Sequence, residues 1–565
     1  MILTALRRSL RADLQLHRIG AGAFLVLVLA LHGPAQAARE AIASAHPLAT
    51  EAGMQVLAQG GNAFDAAVAV ASTLAVVEPF ASGLGGGGFF LLHRAADGLE
   101  VMVDARETAP GRARSDLYLG ADGKPTARGS VDGMKAAAIP GTPAGLAWLA
   151  QRYGRVPLSS SLASAVRLAQ DGFAIDARYA IVAGFSESKL KAEPRTALAF
   201  LDNGAVPAPG FVLRQPELAK TLQAIAAHGR DGFYLGDVAR RMTAAVQAGG
   251  GIWQEEDLQR YEVVERTPQR FTYRGARITC ASLPSAGGLT LAQSLRILER
   301  FPLGSLGPVE RIHLVVEALR RGFQDRARYL GDPDFVQVPD WLGTRAYADR
   351  RAATIDPLRA TPSAQLAALP EGDNTTHFSV VDRDGNRVAA TLSINLPFGA
   401  GVLAGDTGVL LNDEMDDFAV APDVANAFQL TGGSANRIEG GKRPLSSMTP
   451  TFVEDERGWL VFGTPGGSRI ISMVLLGILE YVDGGPPDIE RLVNAPRYHH
   501  QFLPDGVEYE PGAFTPAWIE ALRGMGHTPR EGRRRWGNMQ AVYVDRASGE
   551  ASSYSDPRGK GGAQF

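Results

Sequence analysis

The chain has 565 residues, with 57 basic against 60 acidic side chains for a formal net charge of −3, and a single cysteine, Cys280. One cysteine excludes an internal disulfide framework and any cysteine-rich zinc or iron–sulfur site. Balanced charge without a long basic run excludes nucleic acid as the main partner, and 45% hydrophobic with 21% charged residues is the mix of a globular chain.

Residues 1–37 read as an address. Four arginines, Arg7, Arg8, Arg11 and Arg18, precede an apolar run from Ala21 to Leu31, and small residues stand at Ala35 and Ala37. This is the order of a secretory signal peptide cleaved after Ala37. The apolar run falls short of the ~20 residues that span a bilayer. The mature chain is expected to be periplasmic or secreted, with no stable membrane span.

Residues 48–78 predict two helices separated by Gly60-Gly61-Asn62. The second, Ala63 to Val77, is apolar nearly all round, which places it between layers and not on a surface. After Glu78-Pro79 comes a glycine run over 83–88, then the apolar strand FFLLH. Gly83, Gly85 and Gly88 match G-x-G-x-x-G, but here a helix precedes and a strand follows. A dinucleotide site needs the reverse order, so that a helix N-terminus meets the pyrophosphate. The glycines are assigned instead to close backbone packing. Helices follow in pieces over 141–184 and at 216–227, 236–248, 288–300 and 308–330. Residues 355–373, polar and rich in alanine and proline, predict an exposed linker.

The character then changes. FSVVD at 378–382, a turn holding Asp384-Gly385, and RVAATLSIN at 387–395 predict a hairpin. Further strand-like runs are GVLLN (408–412), TFVED (451–455), WLVFG (459–463) and AVYVD (541–545), with a helix at 468–482. Helices mixed with strands and hairpins favour an α+β or layered αββα fold over a doubly wound parallel one.

The ten histidines include no H-E-x-x-H pair, which argues against a catalytic zinc, and no G-x-S-x-G elbow is present. The unusual segment is Asp373-Asn374-Thr375-Thr376-His377, where the polar linker stops at a threonine that opens a strand. Threonine is a weak nucleophile without an adjacent base, and one solution is its own α-amino group. That amine has a reference pKa near 8 and is partly neutral at working pH. Thr375 is internal, so the Asn374–Thr375 bond must break first. Its Oγ1 can attack the preceding carbonyl, form an ester and release it by hydrolysis. A threonine pair at a strand start is also ordinary β-favouring sequence.

TTHFSVVD at 375–382 resembles the processing site of the gamma-glutamyltransferase family (gamma-glutamyltranspeptidase, glutathione hydrolase), members of the N-terminal-nucleophile hydrolases. GGNAFDAAVAV (60–70), VVEPFASGLGGGGFF (76–90), DARETAP (104–110), AIPGTPAGL (138–146), PSAGG (284–288), DRARYLGDPDF (325–335), LLNDEMDDF (410–418), KRPLSSMTP (442–450) and GTPGGSRI (463–470) resemble family blocks in the family's order. The resemblance implies a four-layer αββα sandwich formed jointly by a large subunit, 38–374, and a small subunit, 375–565. Cleavage between Asn374 and Thr375 makes the two interleaved subunits of one heterodimer.

It implies the site as well. Thr375 matches the catalytic threonine, and Ser393 stands where a threonine often contacts it. Arg106 matches the arginine for the α-carboxylate of the glutamyl group, a role that suits a guanidinium fork, and Ser446 and Ser447 match the serine pair that assists it. Asn395, Glu414 and Asp417 match the residues for the α-ammonium, with Glu414 where some relatives have glutamine. Gly466 and Gly467 match the amides of the oxyanion hole. In the lid region, 419–441, Phe428 stands where tyrosine is frequent, which implies a cover less tethered by one hydroxyl. The implied activity is hydrolysis of glutathione and other γ-glutamyl amides, or transfer of the γ-glutamyl group to acceptor amino acids or peptides, without metal or organic cofactor. The alternatives are a glutaryl or cephalosporin acylase of the same architecture, and an unprocessed binding protein.

Overall fold

The structure is a computed structural model that describes residues 39–363, 375–420, 426–430 and 432–565. The expected signal peptide and Asn374 lie outside the described residues. Among those described, no helix is long and apolar enough to cross a membrane.

Two antiparallel sheets form the centre. Their strands, in chain order, are β1 (Ala41–Ser44), β2 (Gly87–Arg94), β3 (Leu99–Ala105), β4 (Val264–Arg266), β5 (Gln269–Tyr273), β6 (Ala276–Cys280), β7 (Thr376–Val381), β8 (Arg387–Ser393), β9 (Thr451–Glu454), β10 (Gly458–Gly463), β11 (Gln540–Asp545), β12 (Ala551–Ser555) and β13 (Gly562–Gln564). The first sheet runs β13-β1-β7-β8-β2-β3-β4 and the second β12-β11-β10-β9-β6-β5. Both sheets join strands from both sides of the expected cleavage point, interleaved in the first and as two blocks in the second, so neither part has a complete sheet of its own.

Side-chain alternation makes the layers. Along β7, Phe378 and Val380 join the core beneath the outer helices, while Val381 packs with Phe452, Val461 and Val542 of the second sheet. On that inner face the His377 ring lies against Gly463, and Ser379 Oγ donates to the Gln540 carbonyl at 3.1 Å. A strand covered on both faces must be apolar or internally bonded at nearly every position, and β7 is buried throughout. Helices α1 (Pro47–Ala58) and α2 (Ala63–Val77) cover the first sheet. As its composition predicts, α2 is buried along its whole length. It starts in a capping box between Asn62 and Asp65, which satisfies the first free amides. Helices α3 (Gly287–Leu298), α4 (Pro308–Tyr329) and α5 (Arg469–Asp483) cover the second sheet through Leu295, Leu319, Ile471 and Val474 against Ile278, Leu460 and Phe462. The result is the expected α+β sandwich of four layers, αββα.

The glycine run lets backbones touch. A Cβ on Gly85 would lie 1.9 Å from the Leu410 carbonyl oxygen, and one on Gly86 2.0 Å from that of Ser393. One expected strand is absent. GVLLN at 408–412 makes only single bridges, Gly85 with Leu411 and Leu403 with Leu410. Its apolar side chains fill the first core as a loop, and hydrophobic runs of this length do not distinguish the two.

Candidate active site

Register builds the first pair. β7 and β8 align Leu392 with Thr376, so the next step sets Ser393 opposite Thr375 on the same face. Their hydroxyl oxygens are 3.4 Å apart, and both residues are buried. Ser393 Oγ also accepts the Asn395 amide at 2.8 Å. Asn395 has φ 73°, a left-handed conformation that asparagine tolerates. Its Nδ2 donates to the Asp413 carbonyl at 2.9 Å, which leaves Oδ1 as its side-chain acceptor.

The turn Glu414–Asp417 follows at once. Arg106, at the end of β3, reaches under it with no exposed surface. Its Nη1 pairs with Glu414 at 2.9 Å and Glu107 at 3.2 Å, and its Nη2 with Asp417. Three carboxyls thus surround one guanidinium. Burial pushes Glu107 up to about 7 and Glu414 well above its ordinary value, each opposed by Arg106. Burial works against the Arg106 charge too, but Glu414, Glu107 and Asp417 outweigh it and hold its pKa above the ordinary value. With one cation for three acids, the group carries surplus negative charge or surplus protons, the condition an incoming ammonium relieves.

Ser446 and Ser447 face this set. Ser446 Oγ accepts the Met448 amide at 3.1 Å, and Ser447 Oγ accepts from Arg326 Nη2 at 3.2 Å. Gly466 and Gly467 have φ of 142° and 55° and run directly into α5, whose positive end favours anionic charge. Phe428 lies on Gly467, where a Cβ would meet its ring at 2.4 Å. The lid residue is tethered without a ring hydroxyl. Asn426 Nδ2 donates to Asp417 at 3.4 Å, the Ala427 amide to Asp416 at 2.8 Å, and Gln501 Nε2 to the Phe428 carbonyl at 3.1 Å.

Thr375, Ser393, Asn395, Glu414 and Asp417 line one cavity together with Phe428, Ser446, Ser447 and Gly467. Arg106 stands behind its acids, and Gly466 one residue behind Gly467. The cavity measures about 20 Å³, room for about one water molecule. Two residues without a sequence-assigned role join the site. Glu107 follows Arg106 directly, and Arg326 lies inside the 325–335 block, so adjacency to recognised motifs is the signal for both. Elsewhere, His313, Glu317 and His527 bring ligand-type atoms within 4.8 Å of one another. The Glu317 carboxylate is already held by Arg320, Arg321 and the Thr361 amide, and the two rings bond to each other at 2.7 Å, so the acid and the facing ring nitrogens are already engaged and only His527 Nδ1 lacks a partner among the described residues.

A threonine opening an inner strand of an αββα sandwich, beside a cavity lined with acids, hydroxyls and glycine, defines the N-terminal-nucleophile hydrolase class. The gamma-glutamyltranspeptidase family profile matches residues 49–565. The glutathione hydrolase proenzyme of Escherichia coli (strain K12) is 41% identical over 93% of this chain and 91% of its own. Acylase ACY 1 proenzyme of Pseudomonas sp. (strain SE83) is 35% identical over 94% and 96%. The crystal structure of cephalosporin acylase from Bacillus halodurans superposes with a TM-score of 0.82 at 26% identity, covering 94% of this chain and 96% of that one. The chain belongs to the gamma-glutamyltranspeptidase family and is an enzyme of that family.

Proposed function

We propose that the chain is an exported, self-processing γ-glutamyl hydrolase and transferase acting on glutathione and other γ-glutamyl amides. Residues 1–37 direct export, and attack of Thr375 Oγ1 on the Asn374 carbonyl divides the rest into the 38–374 and 375–565 subunits. The observation that carries this reading is the shared cavity: the Thr375–Ser393 pair and the Glu414–Asp417 acids line the same small space.

The steps follow from the groups present. Glu414, Asp417 and Asn395 Oδ1 accept the α-ammonium, while the Ser446 and Ser447 hydroxyls, with Arg106 behind, receive the α-carboxylate. The γ-carbonyl then lies at Thr375. The freed α-amine takes the proton of Oγ1 as Oγ1 attacks, and the Gly466 and Gly467 amides hold the oxyanion. The amine passes that proton to the departing amine. Water, or an acceptor amino acid or peptide, then attacks the γ-glutamyl ester and frees Thr375.

The second reading is a glutaryl or cephalosporin acylase, favoured by the fold match and by the acylase relatives. A glutaryl group has no ammonium, so it would leave the three acids around Arg106 with a single cation between them. Hydrolysis of γ-glutamyl and glutaryl anilides by one preparation tests this. Turnover of the first in clear preference to the second is expected, and the reverse preference overturns the proposal.

A further inference from the structure

Arg326 lies near the end of α4 with 4% of its surface exposed, and it lines the same cavity as Thr375. Among the described residues no carboxylate pairs with it within 4 Å, and its buried Nε has no hydrogen-bond partner. Asp417 is the acid whose field reaches it, and burial still pulls its pKa down to about 10. A buried guanidinium without a salt bridge is costly, and such groups are retained where something else uses them. Among the described residues its one side-chain hydrogen bond runs from Nη2 to Ser447 Oγ at 3.2 Å.

That bond has a chemical consequence. A serine hydroxyl has one proton and two lone pairs. An N–H donor on Oγ occupies a lone pair and turns the hydroxyl proton toward another acceptor. The Met448 amide does this for Ser446, and Arg326 does it for Ser447. Two neighbouring hydroxyls are thereby set as donors into one cavity, the pattern a carboxylate needs. Arg106, by contrast, is engaged by Glu107, Glu414, Asp417 and the Pro444 carbonyl.

We infer that Arg326 is a positioning residue for the α-carboxylate: it acts through Ser447, which its Nη2 fixes as a donor toward that group. This rests on the γ-glutamyl reading above. Arg326→Met removes both the donor and the charge, and Arg326→Lys keeps the charge without the fork.

The test is competition in wild type and both variants, with L-glutamate and with 4-aminobutyrate, which lacks the α-carboxylate, against γ-glutamyl anilide. For Arg326→Met the inhibition constant for L-glutamate is expected to rise about tenfold or more, as for loss of a hydrogen bond to a charged group. That for 4-aminobutyrate stays unchanged, and Arg326→Lys lies between wild type and Met. The Arg326→Met/Ser447→Ala double variant should be no weaker for L-glutamate than Ser447→Ala alone. Equal weakening for both inhibitors, additive losses, or failure of both single variants to be processed overturns the inference. Wild type that ignores the γ-glutamyl anilide overturns the γ-glutamyl reading instead.

Discussion

At the scale of single residues, the site is an argument about charge. Glu107, Glu414 and Asp417 share one guanidinium, and the raised values of the two glutamates come first from burial. As pH rises through about 7 the group loses protons and its field on an ammonium strengthens. KM for a γ-glutamyl anilide is therefore expected to fall between about pH 6 and pH 8, and Glu107→Gln to flatten that fall. A KM that rises over this range contradicts the assignment. Asp417→Asn keeps the shape and removes a charge, and is expected to raise KM about ten- to a hundred-fold with a smaller change in kcat, measured by steady-state kinetics. Residue roles were legible only through resemblance. A sequence shows Thr375 and Arg106 far apart and of common types; Thr375 stands out only as a threonine opening a strand after a polar linker, and nothing in composition or spacing marks Arg106. The clustering of three acids on Arg106 was not legible at all, since it depends on β3 and the 414–417 turn meeting in space. Arg326 was missed for a related reason: a helix-end arginine reads as solvated until its burial is seen.

At the scale of elements, close approach governs. The Phe428 ring rests on the Gly466-Gly467 turn, whose amides are proposed to hold the oxyanion. Gly467→Ala places a methyl in the left-handed region and into the ring, so both the amide and the lid must shift. A loss of about 10²- to 10³-fold in kcat is expected, with processing checked by gel. Wild-type kcat would show that the turn has no part in the chemistry. The cavity holds about one water molecule, so a γ-glutamyl group enters only if Phe428 and its tethers move. Elements were the most legible level. The helix pair at 48–78, the 376–393 hairpin and the helix at 468–482 formed where periodicity and turn signals placed them, because each is long or bounded by glycine. GVLLN failed because five apolar residues fill a core equally well as strand or loop. The glycines of 83–88 were read for packing and not for phosphate, and the contacts of Gly85 and Gly86 with Leu410 and Ser393 give the physical reason.

At the scale of the whole molecule, the two sheets join segments from both sides of residue 375, and buried titratable groups tie stability to pH. Burial lowers His377, His499 and His527 to about 3 and His500 to about 4. Their folded values lie below the unfolded one, so they favour unfolding by acid and have no effect once both states are neutral. Burial raises Asp416 to about 6, Glu107 to about 7 and Asp413 to about 8. Here the folded state binds more protons, so their contribution is lost as pH rises through those values. Above about pH 7.5 the unfolded histidines are neutral too and the acids still titrate, so Tm of the ligand-free protein is expected to fall from there to about pH 8.5 in scanning calorimetry. A Tm that climbs over this window contradicts the burial of the acid set. The layer order was legible from mixed elements with hairpins, but not which strands neighbour which, because contacts such as β1 with β7 span more than 300 residues. On the proposed function, Thr375 becomes a chain terminus and then the nucleophile. The direct measurement is N-terminal sequencing of the small fragment from purified protein, beside the Thr375→Ala variant. A fragment beginning Thr-Thr-His-Phe is expected in wild type, and a single uncleaved, inactive chain in the variant. A fragment starting elsewhere, or an uncleaved wild type that turns over γ-glutamyl anilide, would contradict it.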